Sequence, residues 1–506
     1  EKQWHAGEKS ARAQVDNFLK ERGLTLDAIT AQTLSKKLDD IERIDRMIAN
    51  AEARRHVVLR EIDRRRPAVA ARLRAAADGL IASADAETAL GVPRLSGELE
   101  RTCAQWELYA QATLDGEPWD LTIDTRDDTA QPTPRPDLRR MNRPLGPIAV
   151  YAASNFPFAF SVAGTDTAAA IAAGCPVIVK AHEGHPATSA ATAAVLAEAF
   201  AESGTPSAVF DVVYGFDAGV ALITHPAVKA AAFTGSQSGG RALFDAASRR
   251  DEPIPFYGEL GSLNPAVLTR SALAKRGGEI AAEYAASFAL GSGQFCTKPG
   301  LLLLPAGHGL SDPIAAAVRQ TKPHPLLHQG IADGFAASVA RLANHPGVET
   351  VVAPMTGNGD GFAVEAGLFA ITAEALLPRP DELFTECFGP VSVLVSYADD
   401  AELADVLAAL PGGLTGSVHI GDDTDPQAAQ VIDRLSRRCG RVIVNQWPTG
   451  VAVTWGMQHG GPWPATTMPT HTSVGQASLR RFVRPVAFQN VPQPLLPEAL
   501  RDGNPW

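Results

Sequence analysis

Cysteine is scarce in this sequence, and long apolar runs are missing. Only five of the 506 residues are cysteine, widely spaced and without a CxxC pair, so neither a disulfide framework nor a paired-cysteine zinc site is indicated. No window approaches the roughly 20 continuous apolar residues that cross a bilayer. The first twenty residues are too polar for a signal peptide. We therefore expect a cytoplasmic protein with no membrane contact.

Basic residues are also fewer than acidic residues. The net charge is −11, with 45% apolar and 20% charged residues, which describes a globular chain that repels phosphate backbones. We expect no nucleic-acid partner. The length allows about two to four domains with sizeable cores.

The first 66 residues differ from the rest. About half the positions of 38–66 are charged, and Leu38, Ile41, Ile44 and Ile48 recur at roughly helical spacing, which predicts an amphipathic helix. Its closing arginines suit an anionic partner, although a solvated helix face explains them more simply. An alanine- and leucine-rich helix is predicted over 67–95, followed by a proline-marked linker that ends near 147.

From residue 147 short apolar runs alternate with alanine-rich helical stretches. The runs are 147–151, 176–180, 209–215 and 229–235, and the stretches between them end in glycine. Repeated strand–helix–strand units predict a parallel sheet with helices on both faces, which binds ligands at the carboxyl ends of its strands.

A second stretch of the same texture runs from about 261 to 440. Its strand candidates are "GLLLLP", "ETVVAP", "VSVLVSY" and "GSVHI", so we predict a second α/β domain. The tail from 475 alternates apolar and polar residues, as a strand does that pairs with another subunit.

The dinucleotide fingerprint GxGxxG is absent from the first strand–helix turn, which reads "AASNFPFAF". The fourth run instead ends in "FTGSQSGG" (233–240), where free N–H groups at a helix start can hold a pyrophosphate. A purely structural turn explains this segment equally well.

Three residues are candidates for catalysis. Glu259, between glycines and apolar residues, has the setting of a general base with a raised pKa. Asn155 is placed to donate to an oxyanion or to cap a helix. Cys296, in "GSGQFCTKPG", is either a nucleophile or a small buried residue. Taken one at a time, the structural alternatives stay open.

Six segments in order resemble the aldehyde dehydrogenase superfamily over about residues 67–490. They are "SNFPFAF", "VIVKAHEGHP", "FTGSQSGG", "ELGSLNP", "GQFCTKPG" and "ECFGP". Longer phrases such as "HGGPWPATT" resemble the branch of α-ketoglutaric semialdehyde (2,5-dioxopentanoate) dehydrogenases. Residues 1–66 do not match the family's usual opening segment, and we expect them to lie outside it.

The resemblance implies roles for individual residues. Cys296 would be the nucleophile, Asn155 and the backbone N–H of Cys296 would stabilise the oxyanion, and Glu259 would activate water. Seven residues would bind the cofactor: Lys180, Glu183, Gly235, Ser236, Gly239, Glu386 and Phe388. Because a carboxylate at Glu183 repels a 2′-phosphate, we expect NAD in preference to NADP. His182 and His185 lack a third ligand, so we assign no metal.

The resemblance further implies an α/β fold with a Rossmann-type cofactor domain, a second catalytic domain and a small oligomerisation element. We predict an unmatched segment at 1–66, the cofactor domain at 67–260 with oligomerisation strands near 120–146, the catalytic domain at 261–440, and a return arm at 441–506. The expected partner is a small aldehyde, and the expected assembly is a homodimer or homotetramer.

The expected activity is oxidation of that aldehyde to an acid, with 2,5-dioxopentanoate giving 2-oxoglutarate. The alternatives are another semialdehyde or aliphatic aldehyde dehydrogenase, or an inactive relative that acts as a scaffold through its N-terminal helix. A relative that transfers the acyl group to coenzyme A is disfavoured, because such branches lack the glutamate found here as Glu259.

Overall fold

The computed structural model describes residues 67–355 and 361–503. The predicted helix over 38–66 lies outside the described residues. The described residues all belong to one compact unit of the chain. The domain boundaries given above stay a prediction.

Three helices precede the first strand: Pro67–Ala75, Ala77–Thr88 and Val92–Leu114. The third begins after Gly91, whose φ of +85° favours glycine, and has a proline in its first turn. Leu95, Leu99, Cys103 and Trp106 recur every three or four residues and are buried in the core against the first sheet. This packing fixes the direction of the other side chains on the same helix.

The first large sheet has five parallel strands, in the spatial order Phe210–Val213, Val177–Lys180, Ile148–Tyr151, Ala230–Thr234 and Phe256–Glu259. Four of them confirm the strands predicted from the apolar runs. Connecting helices span Thr165–Ala172, Pro186–Glu202, Phe216–Thr224 and Gln237–Ser248. Because all the strands are parallel, their carboxyl ends share one edge, which carries the segments that begin at residues 152, 181 and 235.

The second large sheet has seven strands, and only its first pair is antiparallel. In spatial order they are Glu349–Val352, Gly367–Thr372, Val391–Tyr397, Leu301–Pro305, Pro265–Leu268, Gly413–His419 and Cys439–Val444. The longer helices around it are Arg270–Ala289, Ser311–Val318, Gln329–Asn344, Asp400–Ala409 and Ala428–Ser436, with short ones at Ala373–Leu376 and Pro380–Leu383. The four strand candidates of this stretch are confirmed.

A small antiparallel sheet joins Thr122–Asp124, Leu138–Pro144 and Val483–Gln489. The tail strand therefore starts at Val483 and not near 475 as the alternation suggested, because Gln476–Phe482 forms 3₁₀ turns that bury Leu479 and Phe482. Its partner within the chain is Leu138–Pro144. A two-residue pair, His324–Pro325 with Ala363–Val364, completes the strands of the described ranges.

The remaining 3₁₀ turns lie at Glu117–Trp119, Ser207–Val209, Leu290–Gly293, Gln493–Leu495 and Glu498–Leu500. Within residues 67–355 and 361–503, none of the helices combines the length and the apolar character needed to cross a membrane.

Candidate active site

Cys296 lies in the loop between the helix Arg270–Ala289 and the strand Leu301–Pro305. The loop turns at Gly293, where φ is +64° and a side chain would overlap the carbonyl of Gly389. Cys296 is partly exposed, whereas the other four cysteines are buried. The reading of Cys296 as a small core residue therefore does not fit the position of its side chain, which lines a cavity.

Asn264 stabilises the Cys296 loop by hydrogen bonds. Its side-chain Nδ2 donates to the carbonyls of Cys296 and Lys298, at 2.8 and 2.9 Å. Its Oδ1 in turn accepts from the hydroxyls of Ser262 and Thr415, at 2.8 and 2.9 Å. With a backbone φ of +49°, Asn264 adopts the left-handed conformation that asparagine tolerates better than most residues.

Lys298 is a buried ammonium group that the sequence analysis did not single out. Its Nζ donates to the carbonyls of Cys387, Gly389 and Val391, at 2.7, 3.2 and 2.7 Å. Three acceptors satisfy the three N–H bonds of the ammonium group. These three hydrogen bonds connect the Cys296 loop to the segment that carries Glu386.

Asn155 is buried beside the same loop, 7% exposed. Its side-chain Nδ2 donates to the backbone carbonyl of Gln294 at 3.0 Å. The backbone carbonyl of Asn155 accepts from Arg94 Nη2 at 2.7 Å. A primary amide carries two N–H bonds, and the described residues supply an acceptor for one. The second is available to an oxygen bound at Cys296.

Glu259 ends the strand Phe256–Glu259, and its Oε2 is buried with no hydrogen-bond partner among the described residues. Burial raises its pKa well above the ordinary value; Arg481 opposes this shift and Asp166 adds to it. A carboxylate kept free of partners and raised in pKa has the properties of a general base.

The Cys296 thiol is protonated at rest. Burial, with smaller contributions from Glu259 and Glu386, raises the pKa of Cys296 to about 12, while Arg101 acts in the opposite direction. Attack by this sulfur therefore requires loss of the thiol proton.

His459 is in contact with that thiol, its Nε2 lying 3.6 Å from the Sγ of Cys296. Burial, and then the charges of Arg441 and Arg101, lower the pKa of His459 to about 3, so the ring is neutral at ordinary pH. The sequence analysis quoted the phrase "HGGPWPATT" but gave His459 no role. The available signal was a histidine next to two glycines in a motif-like segment.

A cavity of about 840 Å³ brings most of the predicted site residues together. Its lining includes Asn155, Gly235, Ser236, Glu259, Cys296, Glu386 and Phe388. Lys180, Glu183 and Gly239 do not line it, although His182, which lies between the first two in sequence, does. We call this space the large cavity.

The three predicted residues outside the lining have contacts of their own. Lys180 forms an ion pair with Glu183. The backbone N–H of Gly239 donates to the side chain of Ser236 at 3.2 Å, so Ser236 caps the helix Gln237–Ser248.

Glu386, which does line the large cavity, accepts a hydrogen bond from the backbone of Ser262, and burial raises its pKa to about 7.

The residues of the large cavity fit a dinucleotide. Its volume lies within the usual range of ligand pockets, and it contains the start of the helix Gln237–Ser248, whose dipole favours phosphate. A side chain at Gly235 would come within 2.7 Å of the Phe233 ring. Because Gly235 has no side chain, the backbone of this turn can line the cavity directly.

A second space of about 50 Å³ adjoins Cys296. We call it the small cavity. Cys296, His459, Phe156 and Phe160 line both spaces. The rest of its lining is Arg101, Gln105, Phe295, Thr297, Thr449, Val451, Val453 and Val474. Cys296 therefore lies between a space large enough for a dinucleotide and one that is much smaller.

Comparisons with known proteins identify relatives of this chain. The model of the "Aldehyde dehydrogenase family" matches residues 28–465. Alpha-ketoglutaric semialdehyde dehydrogenase 2 of Azospirillum brasilense is 46% identical over 87% of this chain and 84% of its own length. Alpha-ketoglutaric semialdehyde dehydrogenase of Acinetobacter baylyi is 42% identical, over 83% of this chain and 80% of its own length.

Solved structures show the same α/β fold. Gamma-glutamyl-gamma-aminobutyraldehyde dehydrogenase of Burkholderia cenocepacia superposes with a TM-score of 0.74 at 21% identity, over 88% of both chains. Aldehyde dehydrogenase 21 of Physcomitrella patens gives 0.74 at 19% identity, over 90% of both chains.

One expectation needs correction. The family match begins at residue 28, so residues 28–66, which the sequence analysis placed outside the family, fall within it. This part of the match was not predicted because residues 1–66 are highly charged and contain none of the six motif segments.

Proposed function

The chain belongs to the aldehyde dehydrogenase family, and on that premise we propose that its substrate is a short aldehyde with a carboxylate at its far end. The chain is an oxidoreductase that oxidises an aldehyde with NAD or NADP. The leading substrate is 2,5-dioxopentanoate, which would give 2-oxoglutarate. The two alpha-ketoglutaric semialdehyde dehydrogenases that are 46% and 42% identical to this chain support this choice.

In the proposed reaction, the sulfur of Cys296 adds to the aldehyde carbon while the thiol loses its proton. The neutral ring of His459 lies 3.6 Å from the sulfur, but its pKa of about 3 makes it too weak a base to keep this proton. The proton is therefore released to solvent. The resulting oxyanion of the thiohemiacetal accepts hydrogen bonds from the Asn155 amide and the backbone N–H of Cys296. A nicotinamide cofactor held in the large cavity would supply the hydride acceptor for the oxidation, and Cys296 would then carry the acyl group as a thioester.

Glu259 then takes a proton from a water molecule, and the hydroxide adds to the thioester carbon. The carbon–sulfur bond breaks, the carboxylic acid leaves and the thiol is restored. Each group performs a task that its environment supports: the thiol adds and leaves, and the partner-free carboxylate accepts a proton.

One observation carries this proposal. The Cys296 thiol, the Asn155 amide and the buried, partner-free Oε2 of Glu259 face the same cavity although they come from three separate parts of the chain. No observation on these residues favours an inactive scaffold, because none of the three is lost or blocked.

We also propose that NAD is preferred over NADP. Lys180, at the end of the strand Val177–Lys180, would hold the ribose next to the adenine, and Glu183 is already paired with it. A carboxylate at that place accepts a bond from a ribose hydroxyl and repels a 2′-phosphate. The ion pair keeps Glu183 near the lysine.

The assembly is proposed to be a homodimer or homotetramer. Val483–Gln489 is an edge strand of the small sheet, so within the described residues one side of its backbone has no strand partner. An edge strand of this kind can pair with a second copy of the chain. Light scattering of the purified protein measures the assembly directly.

The test of the substrate proposal is a cofactor-reduction assay with three aldehydes: 2,5-dioxopentanoate, succinic semialdehyde and uncharged pentanal. We expect kcat/KM to be at least about tenfold higher for the best carboxylate-bearing aldehyde than for pentanal, because a matched ionic contact strengthens binding by at least that factor. A clear preference for pentanal would overturn the proposal.

A further inference from the structure

Arg101 is a half-buried residue near Cys296, and two of its side-chain nitrogen atoms are buried without a hydrogen-bond partner among the described residues. It belongs to the helix Val92–Leu114 and lines the small cavity together with Cys296. Its Nε and Nη2 are inaccessible to solvent and have no hydrogen-bond acceptor among the described residues. Such donors are costly to bury, because the water lost on folding is not replaced.

Two aromatic rings hold the guanidinium group in place. Its central carbon lies 5.2 Å from the ring centre of Phe156 and 5.7 Å from that of Phe160. A guanidinium group next to aromatic faces is attracted to them and keeps a fixed orientation. The rings stabilise its charge but accept no conventional hydrogen bond from its N–H groups.

The nearby carboxylate of Glu98 does not satisfy Arg101. Glu98 Oε1 accepts from the backbone N–H groups of Phe158 and Ala159, at 2.8 and 3.0 Å. Glu98 Oε2 and the Nε and Nη2 atoms of Arg101 are all without a hydrogen-bond partner among the described residues. The arginine therefore has an electrostatic neighbour but no bonded acceptor.

Charge is distributed unevenly around Cys296. Among the described residues lining the small cavity, Arg101 is the one charged side chain, since His459 is neutral. Glu259 and Glu386 line the large cavity and are absent from the small one. An anionic group attached to the aldehyde is thus attracted to the side of the sulfur on which Arg101 lies.

We propose that Arg101 binds the far carboxylate of the aldehyde while the carbonyl carbon lies at Cys296. The inference rests on the proposed function and deepens it, since it assigns the residue that selects the substrate. A volume of about 50 Å³ holds about four water molecules, which suits a carboxylate on a short chain. Phe295, Val451 and Val453 provide apolar walls for the chain between the two ends.

The test compares Arg101→Gln with the wild type on 2,5-dioxopentanoate and pentanal. We expect the ratio of their kcat/KM values to fall about 100-fold, mainly through a higher KM for the anionic aldehyde, because a buried charge-assisted pair is lost. Arg101→Lys keeps the charge without the planar fork, so the ratio should fall by about tenfold only.

A binding readout separates substrate recognition from a structural role. With pentanal as the substrate, inhibition by the dicarboxylate 2-oxoglutarate should weaken about 100-fold in Arg101→Gln and less in Arg101→Lys. Circular dichroism and the melting temperature show that the variants are folded. A purely structural arginine would instead lower the rates with both aldehydes and leave the inhibition constant per active molecule unchanged.

Arg94 offers a matched control on the same helix. Its guanidinium carbon lies 5.3 Å from the Phe156 ring centre, but it donates to the carbonyl of Asn155 and does not line the small cavity. Arg94→Gln should slow both aldehydes by similar factors and keep their ratio within about threefold, because it disturbs the shared oxyanion site.

The outcomes separate this inference from the proposed function. If the wild type prefers the anionic aldehyde and Arg101→Gln keeps that preference, the arginine assignment is wrong and the proposed function stands. If the wild type does not prefer the anionic aldehyde, both are wrong. If Arg94→Gln and Arg101→Gln lower the ratio equally, general positive charge rather than a bond from Arg101 selects the substrate, and the assignment also fails.

Discussion

The large and small cavities meet at Cys296 but differ in size and charge. The first has a volume of about 840 Å³ and contains two partly buried carboxylates with raised pKa values, Glu259 and Glu386. The second has a volume of about 50 Å³, is lined largely by aromatic and valine side chains, and contains the guanidinium group of Arg101.

This difference affects the thiol as well as the substrate. The two glutamates add to the effect of burial and raise the pKa of Cys296, whereas Arg101 opposes them. A negatively charged group in the small cavity would partly neutralise the charge of Arg101. Arg101 would then lower the pKa of Cys296 by less. The same asymmetry orients an anionic aldehyde, so one arrangement of charges serves both binding direction and thiol chemistry.

The largest effect is expected from Cys296→Ala, which removes the group shared by both cavities. Aldehyde oxidation should fall to the assay background, while nucleotide binding in the large cavity remains close to that of the wild type. Steady-state assays and fluorescence titration with reduced cofactor measure the two quantities. Cys439→Ala, at a cysteine buried away from both cavities, should retain activity per folded molecule. Turnover by the Cys296 variant would remove this thiol from the mechanism.

A smaller loss is expected from Asn155→Ala, which removes an amide that lines the large cavity together with Cys296. Loss of one oxyanion donor should lower kcat by about 100- to 1000-fold. Nucleotide affinity, measured by the same titration, should change little because the amide bonds to the Cys296 loop. An unchanged kcat would show that the oxyanion is stabilised by other groups.

Outside the lining of the large cavity, Glu183→Gln should shift cofactor choice. Removing the carboxylate that repels a 2′-phosphate should raise kcat/KM for NADP relative to NAD by about tenfold. Glu198→Gln changes an exposed glutamate on the helix Pro186–Glu202 and should leave the ratio as it is. If the ratio is the same in Glu183→Gln and the wild type, or if the wild type already favours NADP, the proposed preference is wrong.

The smallest effect concerns stability. Burial raises the pKa of Glu386 to about 7, so the folded protein binds this proton more tightly than the unfolded chain does. Its favourable contribution is complete below the unfolded pKa of about 4.3 and is lost as pH rises toward 7. Glu386→Gln should therefore increase the melting temperature relative to the wild type by more at pH 8 than at pH 5. A difference that does not depend on pH would contradict the raised pKa.

The sequence predicted the strands next to the large cavity better than it predicted the residues that line the small cavity. Apolar runs such as 147–151 and 176–180 gave strands because buried parallel strands have few polar positions. The strand Pro265–Leu268 was missed, since four residues inside a loop-like motif have too short a pattern. Cys296, Glu259 and Asn155 were found through motifs in family order.

Arg101, Lys298 and His459 were not predicted, because their meaning depends on tertiary contacts. Arg101 is one of many charged residues on a helix, and only packing places it beside a cysteine that follows 195 residues later in sequence. Lys298 resembles an ordinary loop lysine until three carbonyls surround it. Spacing along the chain contains no information on such contacts.

The central claim is that Cys296 carries the acyl group and that Glu259 is needed to release it. The most direct measurement is mass spectrometry of Glu259→Gln, quenched with acid after mixing with NAD and an aldehyde that the wild type oxidises. We predict that the peptide containing Cys296 gains the mass of the aldehyde less two hydrogens, with one reduced cofactor formed for each acyl group and little turnover afterwards. Reduced cofactor formed without an adduct on that peptide, or turnover at the wild-type rate, would contradict the account.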